Sequence, residues 1–496
     1  MSCSFRSIFL FSLALLTVAA HPASAKPLED RKWIEIQTPS FRVRSDLDEK
    51  KALALAVHLE LFRRAVSIVT NMGQTNSPVP TDIYIVRGSG DFEDLGIDPD
   101  WDGVFQPGLR RNFIVIRDVP GASEAYILNR KYALYLLGDQ GSSNYPLWYK
   151  IGFAEYLSTA QLHSGEFIIG GANENLLWDA SHFQWIPLRD VLSRERDEGW
   201  NDHDEQMFHV GAWILVYYLL HRPEHDTFSR DMAHFVGLVE SGEDDLVAFE
   251  ESFRIPAEDL DTRIMRFFHD GVVPVYKLDV DKILPDSALK AVPLLRGQVS
   301  LGLGQIALSQ RNLRSAIRWF KVASTDDVAG PRAQAGWGVV LASIANWEKA
   351  EPYFEEAIAS APEDPYCQLD FGKYWYDRAR GTDDPSERAT YLARARERLV
   401  TAWKLDDTIP ETYVVYGQTF LLEGRRIDLA TEVLEKAESL LPANLTIRVL
   451  LAKAYLEAGK RENAAGAARS VLAWSNPDSN TAELAKEILA ESAGDH

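Results

Sequence analysis

"PRAQAGWGVVLASIANWEKAEPYFEEAIASAPEDP", residues 331 to 365, places Gly338, Ala350, Phe354, Ala357 and Pro362 at positions 8, 20, 24, 27 and 32 of a unit. The frame recurs on both sides. Before it stand Gly304, Ala316, Phe320 and Ala323. After it come Gly372, Ala395, Leu399 and Ala402, with extra residues assigned to a "GTDDPSER" turn between helices. Two further units carry Gly417, Ala430, Leu434, Ala437 and Pro442, then Ala452, Tyr455, Gly459 and Ala464. The alanines at 316, 350, 395, 430 and 464 are spaced 34, 45, 35 and 34 residues apart. A small residue where two helices cross lets their backbones approach, while large residues at other positions fill the stack. No such unit buries its apolar face alone, so the series predicts stacked helix pairs, closed by "NTAELAKEILAES" as a polar-faced cap.

This pattern resembles the tetratricopeptide repeat. The resemblance implies an all-α, right-handed superhelix of five repeats over residues 296–478, with a capping helix and tail over 479–496. It also implies a concave groove offered to a protein or peptide partner. Gln305, Lys373, Tyr376, Gln418 and Lys453 are the candidate groove residues, and they form no dense basic clamp for a terminal carboxylate.

Composition narrows the partner. The formal charge of −21 disfavours a polyanion, since affinity for phosphate backbones comes mainly from Lys and Arg. No nucleic acid is expected. Residues 1–25 read as a signal peptide: Arg6, the apolar run "IFLFSLALLTVAA", then Ala23-Ser24-Ala25 before Lys26. That run is shorter than the ~20 residues a membrane span needs, and no later segment resembles a span. Export is therefore expected, with a bacterial periplasm as the destination and no transmembrane segment after signal removal. Cys3 leaves with the signal and Cys367 stays alone, so neither a disulfide within the chain nor a cysteine metal site is expected.

Residues 26–290 have a different texture. "WIEIQTPSFRVRSD" (33–46) predicts two short strands around a turn, and "EKKALALAVHLELFRRAVSIVTNM" (49–72) has helical apolar spacing. "PTDIYIVRG" (80–88) and "RRNFIVIRD" (110–118) alternate as strands. A helix opening at "GASEAY" then leads into mostly helical sequence. The expected class is α+β, a β-rich lobe followed by an α-rich lobe.

The order of these segments, continued by "YPLWYKIGFAEYLS" (145–158) and "FHVGAWILVYYLL" (208–220), resembles the peptidase MA-like domain of gluzincin metallopeptidases. In that family one helix carries HExxH and the next a liganding Glu in a phrase like EGxAEY. Two His at i and i+4 share a helix face to hold Zn²⁺, the Glu between them is the general base, and the downstream Glu is the third ligand. Aligned on Tyr132 and "GFAEY", the first His position is Arg130, the base Lys131, the second His Leu134 and the liganding Glu Ile151. Leu and Ile offer no lone pair. One positive charge ~4 Å from Zn²⁺ costs about 8 kcal/mol at an effective dielectric of 20. No metal or other cofactor is expected, and no catalytic residue is assigned. Glu155, four residues past Ile151, holds the position from which relatives support the first His. Two readings stand here: Glu155 pairs with Arg130 and clamps the two helices, or Arg130 is solvated and Glu155 merely caps or decorates its own helix.

Other motifs compete with this degenerate site. "HRPEH" (221–225) matches an inverted zinc motif, but Pro223 predicts a helix end. Asp98, Asp100 and Asp102 open like a calcium loop, yet Leu109 stands where the bidentate Glu belongs. His209 is expected to pack on an apolar helix. The expected role is binding or scaffolding. A hydrolase with a site rebuilt from His209, His221, His225 or the acidic loops remains the alternative, alongside a lobe that only stabilises the array.

Overall fold

The computed structural model describes residues 26–70, 78–118, 123–138, 144–183, 185–193, 201–268, 274–282 and 289–494. The signal peptide expected at 1–25 lies outside them. Among the described residues no helix is long and apolar enough to cross a membrane.

β1 (Ile34–Gln37) and β2 (Arg42–Ser45) pair antiparallel about the "TPS" turn, where Thr38 Oγ1 accepts the Phe41 N–H at 2.9 Å. The helix α1 (Glu49–Thr70) follows, then β3 (Thr81–Val86), α2 (Ser89–Leu95), β4 (Gly103–Gln106) and β5 (Asn112–Arg117). β2, β3 and β5 run parallel in a six-stranded sheet of order β4-β5-β3-β2-β1-β9. The edge strand β9 (Ala291–Pro293) comes from just beyond residue 290 and pairs antiparallel with β1.

One sheet face, with Ile36, Val43, Ile83, Ile85, Ile114 and Ile116, packs on α1 and α3 (Glu124–Leu136). Residues Ala52, Leu55, Ala56, Leu59 and Phe62 recur at helical spacing and give α1 its buried stripe. The opposite face is equally apolar: Tyr84, Val86, Phe113 and Val115 join Trp33 in a second core. Both faces of β3 are covered, so all six of its residues are buried.

α4 (Leu147–Ser158) lies against α7 (Asp202–His221). A Cβ on Gly152 would sit 2.1 Å from the Ala212 carbonyl oxygen, so only glycine permits this approach. Gly152→Ala is expected to cost about 2 kcal/mol, since a backbone clash outweighs the gain in helix propensity. Chemical denaturation checks it; unchanged stability would contradict the close crossing.

The region after α3 is not as uniformly helical as its sequence predicts. β6 (Gln161–His163), β7 (Glu166–Ile169) and β8 (Tyr276–Asp279) form a second, antiparallel sheet. Ser164 and Gly165 both have positive φ, 50° and 83°, which suits a two-residue hairpin turn. Helices α5 (Glu174–His182), α6 (Leu188–Ser193), α8 (Phe228–Ser241), α9 (Asp245–Phe253) and α10 (Leu260–Phe268) complete this half.

A long all-helical array follows, consistent with a tetratricopeptide-like superhelix. Its antiparallel pairs are α11 (Arg296–Ser309) with α12 (Leu313–Ala323), α13 (Gly330–Ser343) with α14 (Trp347–Ser360), and α15 (Pro365–Arg380) with α16 (Pro385–Leu405). Then come α17 (Pro410–Glu423) with α18 (Ile427–Leu440), α19 (Leu445–Glu457) with α20 (Arg461–Trp474), and the final α21 (Asn480–Ala493). In four pairs the position-8 glycine meets the position-24 side chain: Gly304 on Phe320, Gly338 on Phe354, Gly372 on Leu399 and Gly417 on Leu434. The extra residues of the third unit do not form the long turn expected of them. Asp384 caps α16 through the Ser386 and Glu387 N–H groups and Pro385 takes its first position, so "PSER" starts a 21-residue helix.

The two halves are packed together. Val299, Leu303, Ile306, Trp319 and Phe320 of α11 and α12 cover the second sheet face. Trp319 Nε1 donates to Glu29 at 2.9 Å, and Asn312 Nδ2 to the Asp94 carbonyl at 3.1 Å. At the far end, Glu240 of α8 accepts from Ser470 Oγ at 3.0 Å and Trp474 Nε1 at 2.9 Å.

Candidate functional site

α3, α4 and α7 bring Arg130, Glu155 and His209 together. Arg130 Nε lies 3.0 Å from Glu155 Oε1, one of the two arrangements the sequence left open. His209 Nδ1 is 2.9 Å from the same oxygen, which requires the proton on Nδ1. Arg130 Nη2 approaches that nitrogen to 3.5 Å, but two donors cannot bond each other. Tyr126 Oη donates to Glu155 Oε2 at 3.0 Å and itself accepts from Asn173 Nδ2 at 3.3 Å. His209 therefore does not simply pack on an apolar helix, because its ring edge is held by a carboxylate. Tyr126 and Asn173 were not anticipated. Tyr126 precedes Arg130 by four residues and so shares its helix face, a signal the sequence did contain.

Only 4% of the Glu155 side chain is exposed. Burial acts to raise its carboxyl, but the His209 hydrogen bond and the Arg130 charge outweigh it and hold the group below its ordinary value. A carboxylate so stabilised is a poor general base at neutral pH. Lys131 turns away from this cluster to Asp102, at 3.2 Å, and burial pushes its amine below the usual lysine range. Leu134 and Ile151 pack against the main core. Thus Arg130 and Glu155 meet, while Lys131, Leu134 and Ile151 serve a separate ion pair or packing.

The three histidines proposed for a rebuilt site do not all converge. His221 ends α7 and His209 lies twelve residues before it, about 18 Å away along the axis at 1.5 Å per residue, too far to share one ion. His221 Nε2 is 3.0 Å from Tyr156 Oη, and burial, with His225 nearby, lowers its pKa to about 4. α7 ends at His221, as Pro223 predicts, and His225 turns to the Arg222 carbonyl at 3.0 Å and to Asp226 at 3.2 Å. Among the described residues no three His, Cys, Asp or Glu side chains gather as metal ligands. The acidic loop is likewise engaged: Asp98 accepts the Asp100 N–H at 2.9 Å, and Asp102 is held by Lys131.

All five groove candidates lie on the first helix of a pair: Gln305 on α11, Lys373 and Tyr376 on α15, Gln418 on α17 and Lys453 on α19. They do not form one open surface. Between β4 and β5 the chain reaches into the array, where Arg110 bonds both Asp370 and Glu411. Lys373 Nζ completes this cluster at 2.9 Å from Glu411, and the Glu411 N–H donates to the Leu109 carbonyl at 3.2 Å. Burial would raise the Glu411 carboxyl, yet Arg110 and Lys373 drive it far below the carboxylate range. Tyr376 is nearly buried, with Arg380 over its ring at 5.8 Å, and Lys453 lies 3.9 Å from Glu457. The face of α15 and α17 that carries Lys373 thus already holds a segment of its own chain, a contact that local sequence could not reveal.

No family model matches the chain, and no curated protein matches it. Among solved structures, it is similar to a thermophilic TPR protein of Thermus thermophilus, at 20% identity and a TM-score of 0.35. That match covers 39% of this chain and 99% of the other. What marks the array as tetratricopeptide-like is its own succession of helix pairs and their glycine crossings.

Proposed function

We propose that the chain is an exported, non-catalytic scaffold in which a metallopeptidase-like lobe, its zinc ligands replaced, is built onto a protein-binding helical array. The observation that carries this is the Arg130–Glu155 pair, seated where the resemblance puts a ligand histidine and its supporting carboxylate. An ion pair there keeps α3 and α4 together without a metal. The array supplies the binding function. Because Arg110 occupies the Lys373 face of α15 and α17, the surface open to a protein or peptide partner includes the α17 and α19 positions Gln418 and Lys453, both only half-buried. The apolar stretch before Lys26 supports secretion, with the bacterial periplasm as its destination.

A second reading, a hydrolase, draws on one feature: Glu155 holds His209 through Nδ1, as a carboxylate orients a catalytic base. The purified chain from Lys26 onward is expected to show no peptide hydrolysis above a heat-treated control, with or without added zinc. Turnover abolished by a chelator, or by His209→Ala at unchanged stability, would establish the enzyme instead.

A further inference from the structure

Two adjoining cavities, of about 360 and 380 Å³, lie where the N-terminal sheet meets α11, α13 and α15. They share Arg111, Gln305 and Arg332. Each falls within the range of roughly 300–1,000 Å³ typical of small-molecule sites. We propose that together they bind a small organic anion with an apolar body, its carboxylate or phosphate head on Arg111 and Arg332.

The head site is defined by charge and by unused donors. Four guanidinium groups, from Arg42, Arg44, Arg111 and Arg332, line the polar cavity. Glu35, Asp82 and Asp364 supply only three carboxylates, leaving one positive charge in excess. Asp82 is 1% exposed and already takes Arg42 and Arg111, each at 2.8 Å, with Arg44 at 3.5 Å. Arg332 uses Nε alone, on Asp364 at 2.6 Å. Among the described residues its two amino groups meet no protein acceptor, and neither do Nε and Nη2 of Arg111. Both guanidiniums contact the Tyr366 ring, at 4.6 and 5.7 Å from its centre, and both line each of the two cavities. A planar fork with free N–H groups is the geometry that takes a carboxylate or phosphate oxygen pair.

The second cavity has an apolar wall of Leu109, Phe113, Leu308, Phe320 and Val339, and the paired charges of Arg110, Asp370, Lys373 and Glu411 line it as well. A head on Arg111 and Arg332 places a short hydrocarbon or aromatic body there. Walls come from both halves of the chain, so an occupant would also brace the docked array. This site shares no residue with the Arg130–Glu155 cluster and does not depend on the function proposed above.

Octanoate is the probe, titrated calorimetrically into the chain from Lys26 onward, with 1-octanol and inorganic phosphate as body-only and head-only controls. Saturable binding of one octanoate per chain is expected, at least tenfold tighter than either control. Arg332→Gln should weaken it tenfold or more. Arg111→Lys, which keeps a cation on Asp82 while removing the fork, guards against a variant that fails to fold and should weaken it similarly. Leu308→Asn, which adds polarity without charge, should weaken octanoate and leave phosphate unchanged. Absence of saturable octanoate binding, equal binding of 1-octanol, or folded arginine variants that bind as the natural chain does would each overturn the proposal. Phosphate binding as tightly as octanoate would show that the apolar wall takes no part, and would overturn it too.

Discussion

Arg110→Ala is expected to destabilise the docked arrangement by about 3–5 kcal/mol, the range found when one partner is removed from a buried ion cluster. Asp370 and Glu411 have side chains only 12% and 10% exposed, and after the change a single cation, Lys373, faces both. Two carboxylates crowded in low dielectric cannot both stay ionised at no cost. Arg110→Lys should lose less, because it keeps the charge and gives up only the two-sided fork. The effect also has a definite pH sign. The folded-state pKa of Glu411 lies below its unfolded value, so its contribution is fully present above the unfolded carboxylate pKa and is lost as pH falls toward the folded one. The gap between natural chain and variant should therefore be widest near neutrality and narrow in strong acid. Hydrogen exchange of α15 and α17, with urea melts from pH 7 down to 3, measures both; a gap that widens in acid would contradict the cluster.

Glu155→Ala is the second large effect, and its cost is set by what stays behind. Arg130, His209 and Tyr126 would all lose their acceptor in one step. Removing the acceptor from this set is expected to cost about 3 kcal/mol, held to the low end of the buried range because a quarter of the Arg130 side chain reaches solvent. Glu155→Gln keeps the shape and one acceptor oxygen and should cost less. The folded carboxyl is again depressed, so the contribution holds above the unfolded pKa and fades below it. A thermal melt of Glu155→Ala no different from that of an exposed Glu→Ala change, such as Glu258→Ala, would remove the clamp from the account.

How much of this could be seen in the sequence follows from the range of each contact. The crossings of Gly338 on Phe354 and Gly417 on Leu434 join helices adjacent in the chain, and a steric rule repeated in four pairs leaves a visible period. Arg130 and Glu155 are 25 residues apart on neighbouring helices, near enough for a motif to align them. Arg110 and its partners are separated by 260 and 301 residues, and such a contact leaves no period. The cover over Tyr84 and Phe113 was half visible: "TDIYIV" and "NFIVIR" are apolar on both faces, so each needed a second layer, but nothing local said that α11 and α12 supply it. The hairpin of β6 and β7 was missed because its strands are only three and four residues long. His209 was underestimated because its neighbours in sequence are apolar while its partner lies on another helix.

The proposed replacement of a metal by an ion pair between α3 and α4 is tested most directly by metal analysis of the purified chain. After dialysis against excess zinc and removal of unbound ion, the account predicts well under one zinc per chain and a melting temperature unchanged by a chelator. One tightly held zinc per chain, lost together with stability on chelation, would contradict it.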